Sequence, residues 1–487
     1  MTAPSNGRRP GATIPPTPSG LILPAGPAAP GSGGPAGRPS ATGGAAVPAG
    51  LLTPQVGAPG IEGIGPRRPS LAELVETSGL RRVHMLAWRD LDDPESGGSE
   101  LHADKVAEQW AQAGVEVSLR TAMAPGHPET VRRNGYAVVR KAGRYSVFPR
   151  TAFSGAAGRG GPWDGLVEIW NGMPFFSPVW ARCPRVVFLH HVHAEMWRMV
   201  LSPRLAKVGE TMEFRVAPPM YRRTRILTLS QSSRHEIIEL LGLPPRNITV
   251  VPPGIDPAYT PAGERSPHPL VLSVGRLVPV KRFGLLIDAL LRARTEHPTM
   301  EAVIVGEGYE RPELEKKIRA AGAADWLHLV GRVDDDELRA LYQRSWVLTS
   351  ASAREGWGMT ITEAAACGVP SVATRIAGHT DAVIDGETGL LVEADELGRT
   401  LAGVLTDRDL HARLAAGALA HAATFTWEET ARSTFAALVR EAARRNGPGS
   451  AAARAAHQHT VSSPALRTTS SRLSTIRPWI TSLYRHG

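Results

Sequence analysis

The sequence predicts an α/β protein built from two doubly wound parallel-sheet domains that face each other across a cleft. Three observations carry this. Short apolar runs alternate with helical periodicity through the middle of the chain, the pattern restarts after a proline- and glycine-rich break at 252–269, and glycines and charged residues gather just past several apolar runs.

In the first half, residues 83–88 read as a strand followed by a glycine loop and a helix at 99–112. Ala103, Val106, Ala107 and Trp110 of that helix share one face, and Gly114 supplies a stop. Strands follow at 115–120, 166–170, 186–190 and 226–230, with a helix at 234–241. In the second half the strands are 270–274, 301–305, 327–330, 346–350 and 371–373. The helices are 283–296, 310–321, 335–343, 360–366 and 397–405. The expected organisation is a first domain at 81–264, a second at 265–426 and a helix at 427–446 packing back on the first. Tails are expected at 1–68, rich in proline and glycine and disordered, and at 447–487, flexible and basic.

The chain has 487 residues and a formal charge of +9. Eight arginines in acid-free terminal stretches (Arg8, Arg9, Arg38, Arg454, Arg467, Arg472, Arg477, Arg485) account for nearly all of that charge, so the middle is near neutral. This argues against a nucleic-acid partner, whose binding face would concentrate charge on a folded domain. Cys183 and Cys367 are too few and too far apart for a disulfide scaffold. No secretory signal is visible, and no apolar run approaches the ~20 residues that span a bilayer. The expected location is cytoplasmic, with peripheral contact on the inner face of a membrane as an open alternative. That contact would use Leu201, Leu205, Val208 and Met212, an apolar stripe flanked by Arg198, Arg204, Lys207 and Arg215. The plainer reading of the stripe is a core-facing helix. A second apolar-basic stretch, 473–484, is either a frayed tail or a partner-binding helix.

Arg276 and Lys281 follow an apolar strand and suit diphosphate oxygens. Alone, they would read as surface cations. Downstream stand Glu355 and Glu363, with Gly356, Trp357, Gly358, Met359 and Thr360 between them. The glycines allow close backbone approach, and the helix start offers free N–H groups to phosphate. One carboxylate suits sugar hydroxyls and the other ribose hydroxyls, although Glu363 also fits as a solvated residue favoured by the helix dipole. Gly97 and Gly98 open a helix in the same way, or form a simple turn. His190, His191 and His193 end an apolar strand. Alternation places neighbours on opposite faces, which disfavours a metal tract and leaves a ligand-hydroxyl partner or an ordinary loop histidine. Gly306-Glu307-Gly308 lacks the third glycine of a dinucleotide fingerprint, Arg311 standing there, and no P-loop is present.

These residues resemble a retaining glycosyltransferase of family 4, with two Rossmann-like domains in the GT-B fold. The likeness covers about 82–445. It is strongest in Ser273-Val274-Gly275-Arg276, Val305-Gly306-Glu307-Gly308, Glu355-Gly356-Trp357-Gly358, Glu363-Ala364-Ala365-Ala366-Cys367-Gly368-Val369-Pro370 and Asp385-Gly386-Glu387-Thr388-Gly389-Leu390-Leu391-Val392. The resemblance implies that Arg276 and Lys281 hold the donor diphosphate, Glu355 the transferred sugar and Glu363 the ribose. Backbone near Val333 would hold the base, and Gly97 and Gly98 would lie by the phosphates. The active-site histidine maps to His190, with His191 and His193 open by a register slip. Trp357 stands where the family often has Phe. The implied reaction moves a sugar from a nucleoside-diphosphate sugar to an acceptor hydroxyl of a lipid, glycan or small polyol. The nucleotide sugar is a co-substrate, no cofactor is implied, and no metal is obligatory. The competing readings are another GT-B activity, such as a phosphorylase or sugar-phosphate synthase, and a non-catalytic nucleotide-sugar-binding protein.

Overall fold

The computed structural model describes residues 68–159 and 161–447. The two tails, apart from Arg68 and Gly447, lie outside the described residues, and with them the stretch at 473–484. The first sheet comprises β1 (Arg82–Leu86), β2 (Glu116–Thr121), β3 (Thr130–Arg133), β4 (Tyr136–Arg140), β5 (Gly165–Trp170), β6 (Arg185–Leu189), β7 (Arg225–Thr228) and β8 (Ile248–Val250). The second comprises β9 (Leu270–Val274), β10 (Glu301–Val305), β11 (Leu327–Gly331), β12 (Val347–Ser350), β13 (Ser371–Thr374) and β14 (Gly389–Val392).

The helices of the first half are α1 (Leu71–Ser78), α2 (Gly98–Gln112), α3 (Val147–Ala156), α4 (Ser177–Trp180), α5 (Met196–Val200), α6 (Pro203–Thr211), α7 (Ala217–Tyr221) and α8 (Gln231–Leu241). Those of the second are α9 (Phe283–Glu296), α10 (Arg311–Ala320), α11 (Asp335–Arg344), α12 (Met359–Ala366), α13 (His379–Ala382), α14 (Leu397–Thr406), α15 (Arg408–Ala422) and α16 (Trp427–Asn446).

Strand order in the first sheet is β3-β4-β2-β1-β5-β6-β7-β8, and in the second β11-β10-β9-β12-β13-β14. Every pairing is parallel except β3 with β4. The order reverses between β1 and β5 in one sheet and between β9 and β12 in the other. At such a point the connecting loops diverge and leave a crevice at the strand carboxyl ends. The glycine loop follows β1, Arg276 and Lys281 follow β9, and Glu355 follows β12, so both crevices carry the residues singled out above.

One face of the first sheet buries Val83, Met85, Val117 and Leu119 against Trp110 of α2 and Phe435 and Leu438 of α16. The Trp110 indole donates to the Ala431 carbonyl at 2.9 Å, fastening α16 to the first sheet. At Gly165 a Cβ would come 2.6 Å from Leu438 Cδ2, so only glycine lets α16 lie this close. The second sheet has its own core around Leu286, Leu290, Ile304, Leu401 and Val404.

Several elements lie outside the sequence-based assignment, and three places among them carry a local signal. A capping box between Ser70 and Glu73 starts α1, and Gly79 ends it. Asn134 and Gly135, at φ 44° and 90°, turn β3 into β4. Asp407 caps α15, accepting from Leu410 N at 2.8 Å. The core-facing reading of the 201–212 stripe is corrected at its centre, although Leu201 and Met212 at its ends are half-buried. α6 turns Ala206 and Gly209 inward, Gly209 lying under Trp197, and leaves Leu205 57% and Val208 54% exposed. Among the described residues no helix is long and apolar enough to cross a membrane.

Candidate active site

The loops after β9 and β12 are tied together before any ligand arrives. Arg282, held at φ 50°, donates to the carbonyls of Ala351 and Ser352 at 2.7 Å each. Ala353 N donates to Val280 O at 2.8 Å. This brings the Lys281 ammonium onto the Glu355 carboxylate, which also accepts from the Ser352 hydroxyl at 2.7 Å. Burial opposes charge on Glu355, but Lys281, His379 and the hydrogen bonds from Lys281 and Ser352 outweigh it. Its carboxyl therefore lies below the usual range and is ionised at neutral pH.

The first domain closes over this pair. A Cβ on Gly97 would lie 3.7 Å from Arg276 Nε, and one on Gly98 would come 2.9 Å from Met359 Sδ. A Cβ on Gly356 would come 2.9 Å from the His190 carbonyl oxygen. Glycine is thus required at Gly356, where the neighbour is backbone, for the two halves to meet this closely; at Gly98 a larger residue would have to displace the flexible Met359 side chain. Gly358, at φ 129°, opens α12 with no capping side chain, which leaves the amides of Met359 and Thr360 to a ligand. Trp357 is buried and packs edge-on against Phe425 at 5.2 Å. Its bulk is taken up by the second domain and not by the cleft.

Glu363 sits one turn into α12 and accepts from the Tyr342 hydroxyl at 2.8 Å. Burial pushes its carboxyl up to about 7; the Tyr342 bond opposes this, while Asp335 and Asp256 add to it. Val333 is half-buried just past β11. The adjoining Gly331, at φ 84°, accepts from Gly306 N at 2.7 Å, and Arg332 reaches the Pro94 carbonyl of the first domain at 3.3 Å.

The histidines divide. The His190 ring is 3% exposed and lies against His102 and Phe188, with centroids 5.1 Å away in each case. Neither His190 nitrogen has a protein partner, and burial holds its pKa at about 4, so the ring is a neutral donor and acceptor. His191 and His193 stack 4.8 Å apart, and burial lowers both. Both also feel Arg276 and Arg354. The His193–Ala194 turn is fixed by Glu213, which accepts from the His193 and Ala194 amides and the Trp197 indole at 2.7, 3.1 and 2.9 Å.

Several participants were not foreseen. Arg354 spans the cleft to the Val192 carbonyl at 3.1 Å, Glu195 at 3.2 Å and Glu236 at 2.5 Å. Asp381 accepts from Gln231 N at 2.7 Å and from Ser232 N, so a residue of the second domain caps α8 of the first. Neither contact has a local signature, since each joins residues more than a hundred positions apart. Among the described residues no group of three or more His, Cys, Asp or Glu could hold a metal ion.

Two reversed-order parallel sheets meeting at their carboxyl ends, with paired cations on one side and a glycine loop on the other, define the GT-B architecture of glycosyltransferases. Residues 260–420 match the family model described as glycosyl transferases group 1, and residues 96–259 that of glycosyltransferase family 4. The chain belongs to the family 4 glycosyltransferases. It is 33% identical over 235 residues to a D-inositol 3-phosphate glycosyltransferase of Kribbella flavida, a match covering 44% of this chain and 55% of that protein. The chain thus spans about half the length of the first curated relatives it matches. The enzyme of the same description from Thermobispora bispora is 28% identical, with 72% and 93% covered. The fold is shared with sucrose-phosphate synthase from Thermosynechococcus elongatus (TM-score 0.62, 18% identity, 72% and 96% covered). It is shared also with Anabaena HepE in complex with UDP-glucose (TM-score 0.58, 20% identity, 73% and 98% covered).

Proposed function

We propose that the protein transfers a sugar from a nucleoside-diphosphate sugar to an acceptor hydroxyl with retention of configuration. The observation that carries this is the meeting of Arg276, Lys281 and the free amides of Met359 and Thr360 opposite Gly97 and Gly98. A diphosphate there would be bound by two cations and a helix start, with backbone close on the far side.

In this reading the Lys281–Glu355 pair serves both halves of the donor. Lys281 and Arg276 neutralise charge on the departing diphosphate, which supplies stabilisation without an obligatory metal. Glu355, ionised and oriented by Ser352, accepts from sugar hydroxyls. Glu363 accepts from the ribose, and backbone at Val333 lines the base. His190, with both nitrogens unpartnered, is the candidate to touch the transferred sugar or the attacking hydroxyl. Arg354 and Asp381 hold the halves together and keep water from the donor.

The acceptor is a small polyol, glycan or lipid. The curated relatives are described as acting on D-inositol 3-phosphate, which makes that compound the first acceptor to try, and the HepE complexes make UDP-glucose the first donor. Exposed Leu205 and Val208, beside Arg204 and Lys207, support peripheral contact with an anionic membrane if the acceptor is a lipid. UDP-, GDP- and ADP-sugars should be incubated with inositol 3-phosphate or a lipid and polyol extract, and nucleoside diphosphate release measured, with Glu355→Gln as control and EDTA in parallel. Release from one donor, lost in the control and kept in EDTA, with the product anomer matching the donor by NMR, supports the proposal. Nucleotide binding without release from any donor favours the non-catalytic reading, and inversion or a strict metal requirement refutes the mechanism.

A further inference from the structure

A second pocket lies away from the cleft, on the opposite face of the first sheet from α2 and α16. Alternation along β1 sends Val83 and Met85 to the α16 side and His84 to the other. Along β2, Val117 and Leu119 go to the α16 side and Arg120 follows His84. Helices α3 and α4 stand off from this face and leave a pocket of about 610 Å3 lined by His84, Arg120, Thr151, Ser154, Trp163 and Trp180 among others.

Its walls are built. The Trp163 indole stacks on the His84 ring at 4.8 Å and 14°. Trp180 is fixed by its indole donating to the Phe175 carbonyl at 2.9 Å. It packs so tightly on α3 that a Cβ at Gly155 would come 2.2 Å from its ring. Yet the polar groups are left without partners: Arg120 Nε, the Thr151 hydroxyl and the Trp163 indole N–H are all buried and unbonded. Buried donors are normally satisfied, so three together around one space call for an acceptor from outside.

Charge points the same way. No Asp or Glu is among the residues lining the pocket. Burial disfavours the Arg120 charge, and the charged group that acts on it is another cation, Arg150. An Arg so placed gains most from an oxyanion. His84 supplies the complement. Its Nδ1 lies 3.0 Å from the Ser118 carbonyl and must carry the proton there, which leaves Nε2 as an acceptor. Burial and Arg120 hold this ring's pKa at about 4, so it stays neutral near pH 7.

We propose that this pocket is a second small-molecule site, separate from the donor cleft, for a hydroxylated organic oxyanion. Arg120, Thr151 and Trp163 donate to its phosphate or carboxylate, His84 accepts from a hydroxyl, and the tryptophan faces cover its carbon skeleton.

The test uses the full chain saturated with UDP, so that the cleft is occupied. Glucose 6-phosphate, gluconate and inorganic phosphate are titrated separately by calorimetry, with melting temperature followed in parallel. At least one organic anion should bind with UDP present. Arg120→Met should weaken it about tenfold or more, the usual consequence of losing a charge-assisted hydrogen bond. Thr151→Val, close in shape, should weaken it by a smaller factor. Arg120→Met should fold about as stably as the parent, because it removes a partly buried cation that has no carboxylate among the lining residues. If it does not fold, Arg120→Gln with Thr151→Val carries the test. Glucose 6-phosphate binding alone identifies the phosphate as the recognised group, and gluconate alone the carboxylate. The proposal is overturned if neither organic anion binds at millimolar concentration, if only inorganic phosphate binds, or if the Arg120 and Thr151 variants bind as the parent does.

Discussion

Replacing Lys281 by methionine removes the ammonium and keeps most of the apolar stem. Glu355 then retains the Ser352 hydroxyl at 2.7 Å but loses the charge that holds it ionised inside the protein. Side-chain exposures of 22% and 18% place the pair between a surface and a buried ion pair. Exposed pairs are worth about 0–1 kcal/mol, whereas stranding one member of a buried pair costs about 3–5 kcal/mol, so a loss of about 2 kcal/mol is expected for the single variant. Lys281→Met with Glu355→Gln leaves no stranded charge and should be more stable than the sum of the two single changes by about 1–2 kcal/mol. Turnover behaves differently. Both the single and the double variant lose the cation that would meet the leaving diphosphate, and removal of one such preorganised group costs about 100- to 1,000-fold in kcat. Urea unfolding of the four members of the cycle gives the stability coupling, and nucleoside diphosphate release gives kcat. Strict additivity in stability would refute the coupling. A Lys281→Met kcat within roughly threefold of the parent would refute the role of the ammonium in the chemical step.

Glu363→Gln should change the pH dependence of stability. Burial raises the Glu363 carboxyl from 4.5 to about 7, so the folded protein holds its proton through a range where the unfolded chain has released it. Stability is therefore lost as pH rises through that window, by at most about 3 kcal/mol, and the Gln variant should melt increasingly above the parent between about pH 5 and pH 8; parallel melting curves would count against it. Gly356→Ala places a methyl group 2.9 Å from the His190 carbonyl, a backbone atom that cannot swing aside. Donor KM should rise about tenfold or more while the second domain stays folded, as judged by circular dichroism and turnover assays. Asp381→Ala removes the acceptor from the first amides of α8 and should cost about 1 kcal/mol, the usual worth of a cap. It should also increase the radius of gyration in solution scattering if the cap helps hold the halves closed.

The chain announced the central strands of its sheets because these are short apolar runs cut off by glycine or a charge, and buried parallel strands admit little else. The cleft residues were legible for the same reason. Arg276, Lys281 and Glu355 stand where an apolar run stops, and Gly356 and Gly358 stand where a helix begins. The β3–β4 hairpin has a local signal in Asn134-Gly135 and α1 has one in Ser70 and Glu73, but both flank segments of mixed polarity in which no clear period marks an element. Arg354 and Asp381 could not be read at all, since their partners are chosen by how the two halves close. The three histidines show the limit most plainly. Spacing says that neighbours alternate, but the ring that meets His102 and the rings that feel the charges of Arg276 and Arg354 are distinguished only once α2 and the second domain are in place.

The path of α16 sets an order of events during synthesis. The first sheet is made early, but Gly165 of β5 and Trp110 of α2 face a helix of 20 residues that begins at Trp427. A nascent chain that ends just before Trp427 carries all eight strands of that sheet but still lacks the helix that covers this apolar face, whereas its second domain already holds every strand and helix of its own core. Domains ordinarily mature in the order they leave the ribosome. Here the later one can consolidate first, and the earlier one must keep its surface from misassociating until the final helix is released.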